Sequence, residues 1–152
     1  VKIEVVQVPE QNAVFAKATC KHSEIGDAFH KLLPAVANYM EATSATMAGP
    51  PFCRYTDWRE EDCDIEVGCP IAESLTGEGE VFAGVLGADR AVRADYSGPY
   101  EGLHAAHAAC RSYIEENGLE PSAPPFEIYA TDPDEEPNPE KWITQVYWPV
   151  AP

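Results

Sequence analysis

In the stretch Asp64–Ile71 (DIEVGCPI), Glu66 is the one charged residue after Asp64, among apolar neighbours, and this makes it the first residue to consider for chemistry. Strand alternation puts Asp64, Glu66 and Gly68 on one face and Ile65, Val67 and Cys69 on the other. A carboxylate so placed is either a solvated strand residue, an anchor for a ligand cation, or a general acid or base. Near the C-terminus, Ile143–Val150 (ITQVYWPV) presents Gln145 and Tyr147 on one face, a hydrogen-bonding amide beside a ring able to cover a flat ligand. In Phe126–Ala130, alternation assigns Phe126 and Ile128 to the helix-side core and leaves Glu127 and Tyr129 toward a groove. Tyr55 holds the matching place in the first half, although Arg54 then shares a face with Phe52. Tyr96 and Tyr100 flank Ser97-Gly98-Pro99, and Trp58 and Trp142 lie beside acidic loops. These aromatics either wall a groove or simply support the fold.

Other chemistries find less support. His104 and His107 are one helical turn apart, but no carboxylate ligand pattern accompanies them. The five cysteines have no CxxC spacing, and Cys69 and Cys110 fall on apolar faces, which argues against a thiolate nucleophile. There is no Gly-rich phosphate loop and no GxSxG elbow. No metal and no cofactor is therefore expected. An enzyme built on this chain would be a cofactor-independent hydrolase with Glu66 and Glu127 facing one groove, one protonating a leaving oxygen while the other orients water.

The elements that must position these residues follow from periodicity. Val1–Val8 and Ala13–Thr19 alternate as strands, with Pro9–Asn12 as the turn between them. Ile25, Phe29, Leu32, Leu33, Val36 and Met40 mark a helix with Ser23 as its cap and a kink or break at Pro34. Phe52–Tyr55 and Asp64–Ile71 complete the half. The order then recurs: Glu80–Leu86 and Ala91–Ser97 as a hairpin around Gly87-Ala88-Asp89, a helix through Leu103, Ala106, His107, Cys110 and Ile114 ended by Asn117-Gly118, and strands Phe126–Ala130 and Trp142–Val150.

The recurrence extends to residue types. A shift of 78 places Val14 on Val92, Ala16 on Ala94, Ile25 on Leu103 and Val36 on Ile114; a shift of 74 places Phe52 on Phe126 and Tyr55 on Tyr129. A shift of 79 places Glu66 on Gln145 and Gly68 on Tyr147. The chain thus reads as one domain, 1–152, made of two diverged repeats of about 1–78 and 79–152. One helix and a few strands cannot bury their apolar faces alone. The expectation is an α+β fold with an antiparallel-rich sheet, both helices on one face, and a ligand groove on the other where the repeats meet.

Charge narrows the partners. The formal net charge is −16, from 26 acidic against 10 basic residues, which disfavours direct binding to nucleic acid or to an anionic membrane surface. The same acidity serves either solubility, including in a saline interior, or attraction of cations. No leader, membrane span or lipid anchor is legible, so the cytoplasm is the expected location.

The segments DIEVGCPI at Asp64–Ile71, DYSGPYEG at Asp95–Gly102, PFEIY at Pro125–Tyr129 and ITQVYWPV at Ile143–Val150, in this order across nearly the whole chain, resemble the GyrI-like small-molecule-binding domain. Gly49-Pro50-Pro51-Phe52 followed by Tyr55 is also similar to that family. The family includes the effector-binding domains of multidrug-sensing transcription regulators. The resemblance implies a duplicated β-α-β-β fold whose groove takes bulky, often cationic, aromatic molecules. Relatives commonly carry a groove glutamate in the last strand. Gln145 stands there in this chain, and the first-half equivalent Glu66 would supply the carboxylate instead. The resemblance leaves no DNA-reading helix-turn-helix within these residues, so it implies a sensor or sequestering module that stands alone. Some relatives resemble hydrolases that open strained cyclopropane electrophiles, which is the enzymatic alternative. A third is a regulatory adaptor that binds a partner protein through the sheet or the acidic loops.

Overall fold

The computed structural model describes residues 1–152. Its elements in chain order are β1 (Lys2–Lys21), α1 (Ile25–Ala42), β2 (Phe52–Trp58), β3 (Asp62–Pro70), β4 (Gly77–Glu78), β5 (Val81–Ser97), α2 (Leu103–Glu116), β6 (Phe126–Tyr129) and β7 (Ile143–Pro149). The α+β class expected from the sequence is observed. The chain divides into two compact units, Glu10–Gly87 and Val1–Pro9 with Ala88–Pro152, so the boundaries fall inside β1 and β5.

In the Glu10–Gly87 unit, β3 is central, antiparallel to β1 on one side and to β2 on the other. The residues of β1 and β3 that face α1 are apolar: Val14, Ala16 and Cys69 pack with Val36 and Met40 of the helix, together with Ile71 and Val81. In the other unit β7 is central, antiparallel to β5 and β6. There Val92, Ala94 and Val146 pack with Leu103, Ala106, Cys110 and Ile114 of α2. Each helix therefore covers one face of its own unit's strands, and the alternate strand residues point the other way.

Four expectations are corrected. No turn interrupts β1 at Pro9–Asn12: the strand runs on, and the Asn12 carbonyl accepts from the Ile71 N–H at 2.8 Å, a bond a turn would forfeit. Proline suits extended backbone where no ladder donor is needed. Nor does a hairpin form at Gly87-Ala88-Asp89, because β5 is continuous. Its start pairs with β4 (Phe82 opposite Gly77), while Ala91–Ser97 pairs with β7. The helix α1 passes through Pro34 without breaking. The lost helical bond falls on the carbonyl of the exposed His30, where water can replace it. Ser23 is not its cap; it lies in a single 3-10 turn, His22–Glu24, and no side chain caps α1.

The acidic turn between β2 and β3 is organised by one guanidinium. Arg59 reaches Asp62 at 2.6 Å, Asp57 at 2.8 Å and Asp64 at 2.8 Å. The Arg59 bonds, and then the Thr19 hydroxyl that donates to Asp64 at 2.6 Å, hold the Asp64 carboxyl down to about 2. A carboxyl held below its ordinary value of 3.8 contributes stability that is complete above that pH. The contribution fades as pH falls from 3.8 toward about 2. In Arg59→Ala the midpoint of the Asp64 carboxyl, followed by NMR against pH, is expected to climb toward the ordinary aspartate range.

Candidate functional site

In the Glu10–Gly87 unit, the face turned from α1 carries Phe15 and Lys17 from β1, Glu66 and Gly68 from β3, and Phe52 and Arg54 from β2. The register aligns them: Lys17 lies opposite Glu66 and Phe15 opposite Gly68, while Arg54 lies opposite Glu66 and Phe52 opposite Gly68. Arg54 Nε donates to Glu66 Oε1 at 2.7 Å, and Arg54 Nη1 donates to the Val85 carbonyl at 2.8 Å. The guanidinium carbon stands 5.4 Å from the Phe15 ring centroid and 5.5 Å from that of Phe52. Lys17 Nζ is 4.0 Å from Glu66 Oε2, the outer limit of an ion pair, and 4.4 Å from the Phe82 ring centroid.

Glu66 is thus neither a solvated strand residue nor a bare anionic anchor: it is 9% exposed and already partnered by two cations. Phe15 and Phe52 are buried, whereas Phe82 and Val85 are 44% and 45% exposed. The accessible margin of the cluster is therefore Phe82, Val85 and Lys17. Beside it lies a shallow pocket of about 170 Å³ lined by residues including Ala83, Gly84 and Val85. Ligand cavities for drug-sized molecules run to about 300–1,000 Å³, so a flat polycyclic molecule would need the exposed margin as well as the pocket.

Tyr55, opposite Ile65, falls on the α1 side of the strands by register, and its ring meets Trp58 edge-on at 5.7 Å. Trp58 also stacks on His22 at 4.0 Å, so its ring supports the fold there.

In the other unit, the face turned from α2 carries Gln145 and Tyr147, as alternation predicts. Tyr147 stacks on Phe126 at 4.9 Å and 14°, and its hydroxyl reaches Gln145 Oε1 at 3.3 Å. Burial pushes the Tyr147 phenol up. Arg93, opposite Tyr147, pairs with Glu4 at 2.6 Å and Asp95 at 3.2 Å. Phe126 therefore does not pack against the helix, which corrects the expected phase of β6.

The residues expected toward the groove, Glu127 and Tyr129, face α2 instead. Glu127, 3% exposed, bonds His107 Nε2 at 2.7 Å and accepts from the Tyr129 hydroxyl at 2.6 Å. Trp148 Nε1 donates to His107 Nδ1 at 3.0 Å, so Nδ1 is the acceptor and Nε2 carries the proton given to Glu127. The reason is chemical: β6 can bury a carboxylate against a helix because His107 offers a donor there. Glu66 is thus turned from α1 in its own unit, and Glu127 is turned to α2 in the other. His104 does not join His107, since its Nδ1 meets the Glu101 carbonyl at 2.9 Å.

Tyr100 meets Tyr129 edge-on at 5.6 Å and Trp142 at 5.0 Å, while Trp142 Nε1 donates to the Glu136 carbonyl at 2.7 Å. Burial first, then the charges of Asp132 and Glu127, push the Tyr100 phenol up. Tyr96 is committed to the β5–α2 joint, where its hydroxyl donates to the Pro99 carbonyl at 2.6 Å and Gly98 takes φ 145°. A thiolate role finds no help either: burial pushes Cys110 up to about 12 and Cys69 up to about 11.

Residues 2–151 match the family model described as a GyrI-like small molecule binding domain. The chain belongs to that family. The EcmrR C-terminal domain is similar in structure to this GyrI-like domain, with a TM-score of 0.87 at 21% identity, covering 99% of this chain and 97% of that one. In the EcmrR–DNA complex the match covers 98% of this chain but only 57% of the EcmrR chain, at a TM-score of 0.86 and 20% identity. SAV2435 bound to tetraphenylphosphonium is similar with a TM-score of 0.63 at 14% identity, covering 99% and 94% of the two chains. A hydrolase encoded by lin2189 from Listeria innocua gives 0.64 at 18% identity, covering 99% and 92%. Curated protein sequences give no match. No helix of this GyrI-like domain is long and apolar enough to cross a membrane.

The sequence reading of this GyrI-like domain missed Arg54, Lys17, Phe15 and Phe82 as neighbours of Glu66. A signal was present: Arg54 spoiled the alternation of its strand, and a cation sharing a face with Phe52 near a lone carboxylate is a partner in waiting. His107 and Trp148 were likewise missed as partners of Glu127.

Proposed function

We propose that this GyrI-like domain binds small amphipathic aromatic molecules, as a sensor or sequestering module, at the face of the Glu10–Gly87 unit turned from α1. The observation that carries this reading is the exposed apolar margin of Phe82 and Val85, set directly against charged side chains with hydrogen bonds to give. An apolar surface joined to a few convergent polar groups is what an amphipathic ligand needs. SAV2435 binds a molecule with several phenyl rings, which supports aromatic ligands for this fold without assigning residues here.

The test uses the neutral probe pyrenebutanol, titrated by fluorescence and calorimetry. Saturable binding is expected for the wild type. Phe82→Ser, at a half-exposed ring, is expected to weaken binding about tenfold with little change in thermal stability. Equal affinity in the two proteins would remove Phe82 from the site, and no binding by the wild type would defeat the reading.

A further inference from the structure

We infer that the face centred on Glu66 selects aromatic anions, in particular aromatic carboxylates, with the acid held by Lys17 and Arg54 and the ring against Phe82 and Val85. The inference rests on the proposed binding site and assigns its charge preference.

The argument begins with what a cationic ligand would need. It would use a carboxylate and the faces of aromatic rings, since both attract positive charge. Here the carboxylate and the two buried rings, Phe15 and Phe52, are occupied by the protein itself. Glu66 accepts a charge-assisted bond from Arg54 at 2.7 Å, and Lys17 approaches its second oxygen at 4.0 Å. The guanidinium lies 5.4 Å and 5.5 Å from the rings of Phe15 and Phe52, and Lys17 lies 4.4 Å from that of Phe82. A ligand cation would have to evict Arg54 from a site where its side chain is only 16% exposed. That would cost both the ion pair and the carbonyl bond to Val85.

An anion meets the opposite situation. Lys17, Arg54 and Glu66 sum to one positive charge, and Asp64, next along this face, is already held by Arg59 at 2.8 Å and by the Thr19 hydroxyl at 2.6 Å. Arg54 has five N–H donors, and its bonds to Glu66 and Val85 engage only Nε and Nη1. Lys17 is 53% exposed at the side chain, so its ammonium can turn to an incoming carboxylate without leaving Glu66 bare, because Arg54 stays in place. Phe82 and Val85 stand at the same margin, exposed enough to receive the ligand's ring. Glu66 becomes a positioning residue: it fixes the guanidinium that meets the acid.

The experiment titrates the intact chain with three probes sharing one aromatic body: pyrenebutanoate, pyrenebutanol and pyrenebutyl-trimethylammonium. The expected order is acid tightest, by about tenfold over the alcohol, with the ammonium weakest. Lys17→Gln, a change at an exposed side chain, is expected to weaken the acid about fivefold more than it weakens the alcohol. Ammonium binding as tight as the acid, or equal losses for acid and alcohol in Lys17→Gln, would overturn the anion preference while leaving the aromatic site standing. Failure of all three probes to bind would overturn the site and the preference together.

Discussion

Arg54→Met is expected to lower unfolding stability by about 3 kcal/mol, and adding Glu66→Gln to recover most of that loss. The single change retains apolar bulk near Phe15 and Phe52 but strips Glu66, 9% exposed, of its closest partner. Lys17 cannot take over fully. Its ammonium is half in water, 4.0 Å from the carboxylate, and gives nothing to the Val85 carbonyl that Arg54 also satisfies. Desolvation of the unpaired carboxylate then dominates, since breaking a buried pair costs more than the pair is worth when intact. Glutamine removes the charge while keeping the shape, so the double variant tests the mechanism and not merely the loss of packing. Urea unfolding of the wild type, both singles and the double would show a coupling of about 2 kcal/mol or more. Additive losses would mean that Arg54 acts through its contacts with the rings and not through Glu66.

Much of the fold was legible because its code is local. The positions of Val14, Ala16 and Val36, and of Val92, Ala94 and Ile114, follow helical and strand periods, and each set lies in the core of its own unit. Strand continuity was harder. Pro9 and Gly87 read as turn residues, yet the chain stays extended through both because the pairing partners of β1 and β5 lie far along the sequence. Only long-range hydrogen bonds decide such a case.

The candidate site was legible in part for a related reason. Alternation placed Gln145, Tyr147 and Glu66 on the faces away from the helices, and it does not depend on partners. It placed Glu127 and Tyr129 wrongly because hydrophobicity chose the phase: Phe126 looked like core and Glu127 like surface. His107, delivered by α2, reverses that choice by making burial of the carboxylate affordable. Similarly, Arg54 looked like a flaw in a strand until Glu66 appeared opposite it in the register.

The repeat also bears on what can be exchanged between halves, and Gly68 gives the strongest case. Tyr147 is its counterpart at the sequence level, and Tyr147 has room to stack on Phe126. At position 68 there is no such room. A Cβ built there would overlap the Val14 carbonyl oxygen and press on the Cα and Cβ of Phe15. These are largely backbone atoms of β1, in a segment whose neighbours Val14 and Ala16 are fully buried, so no side-chain rotation relieves the clash. Gly68→Ala is therefore expected to destabilise by about 3 kcal/mol, at the upper end for overpacking, and Gly68→Tyr to prevent folding. The closeness also sets the binding face. With no side chain at 68, the space over Phe52 is left to the Arg54 guanidinium, whereas in the other unit Tyr147 covers Phe126. One half thus holds a cation on its ring where the other holds a phenol. Thermal melts of Gly68→Ala would settle the steric part: unchanged stability would mean that β1 can withdraw from β3, and the tight pairing of Phe15 with Gly68 would then not be what confines Arg54.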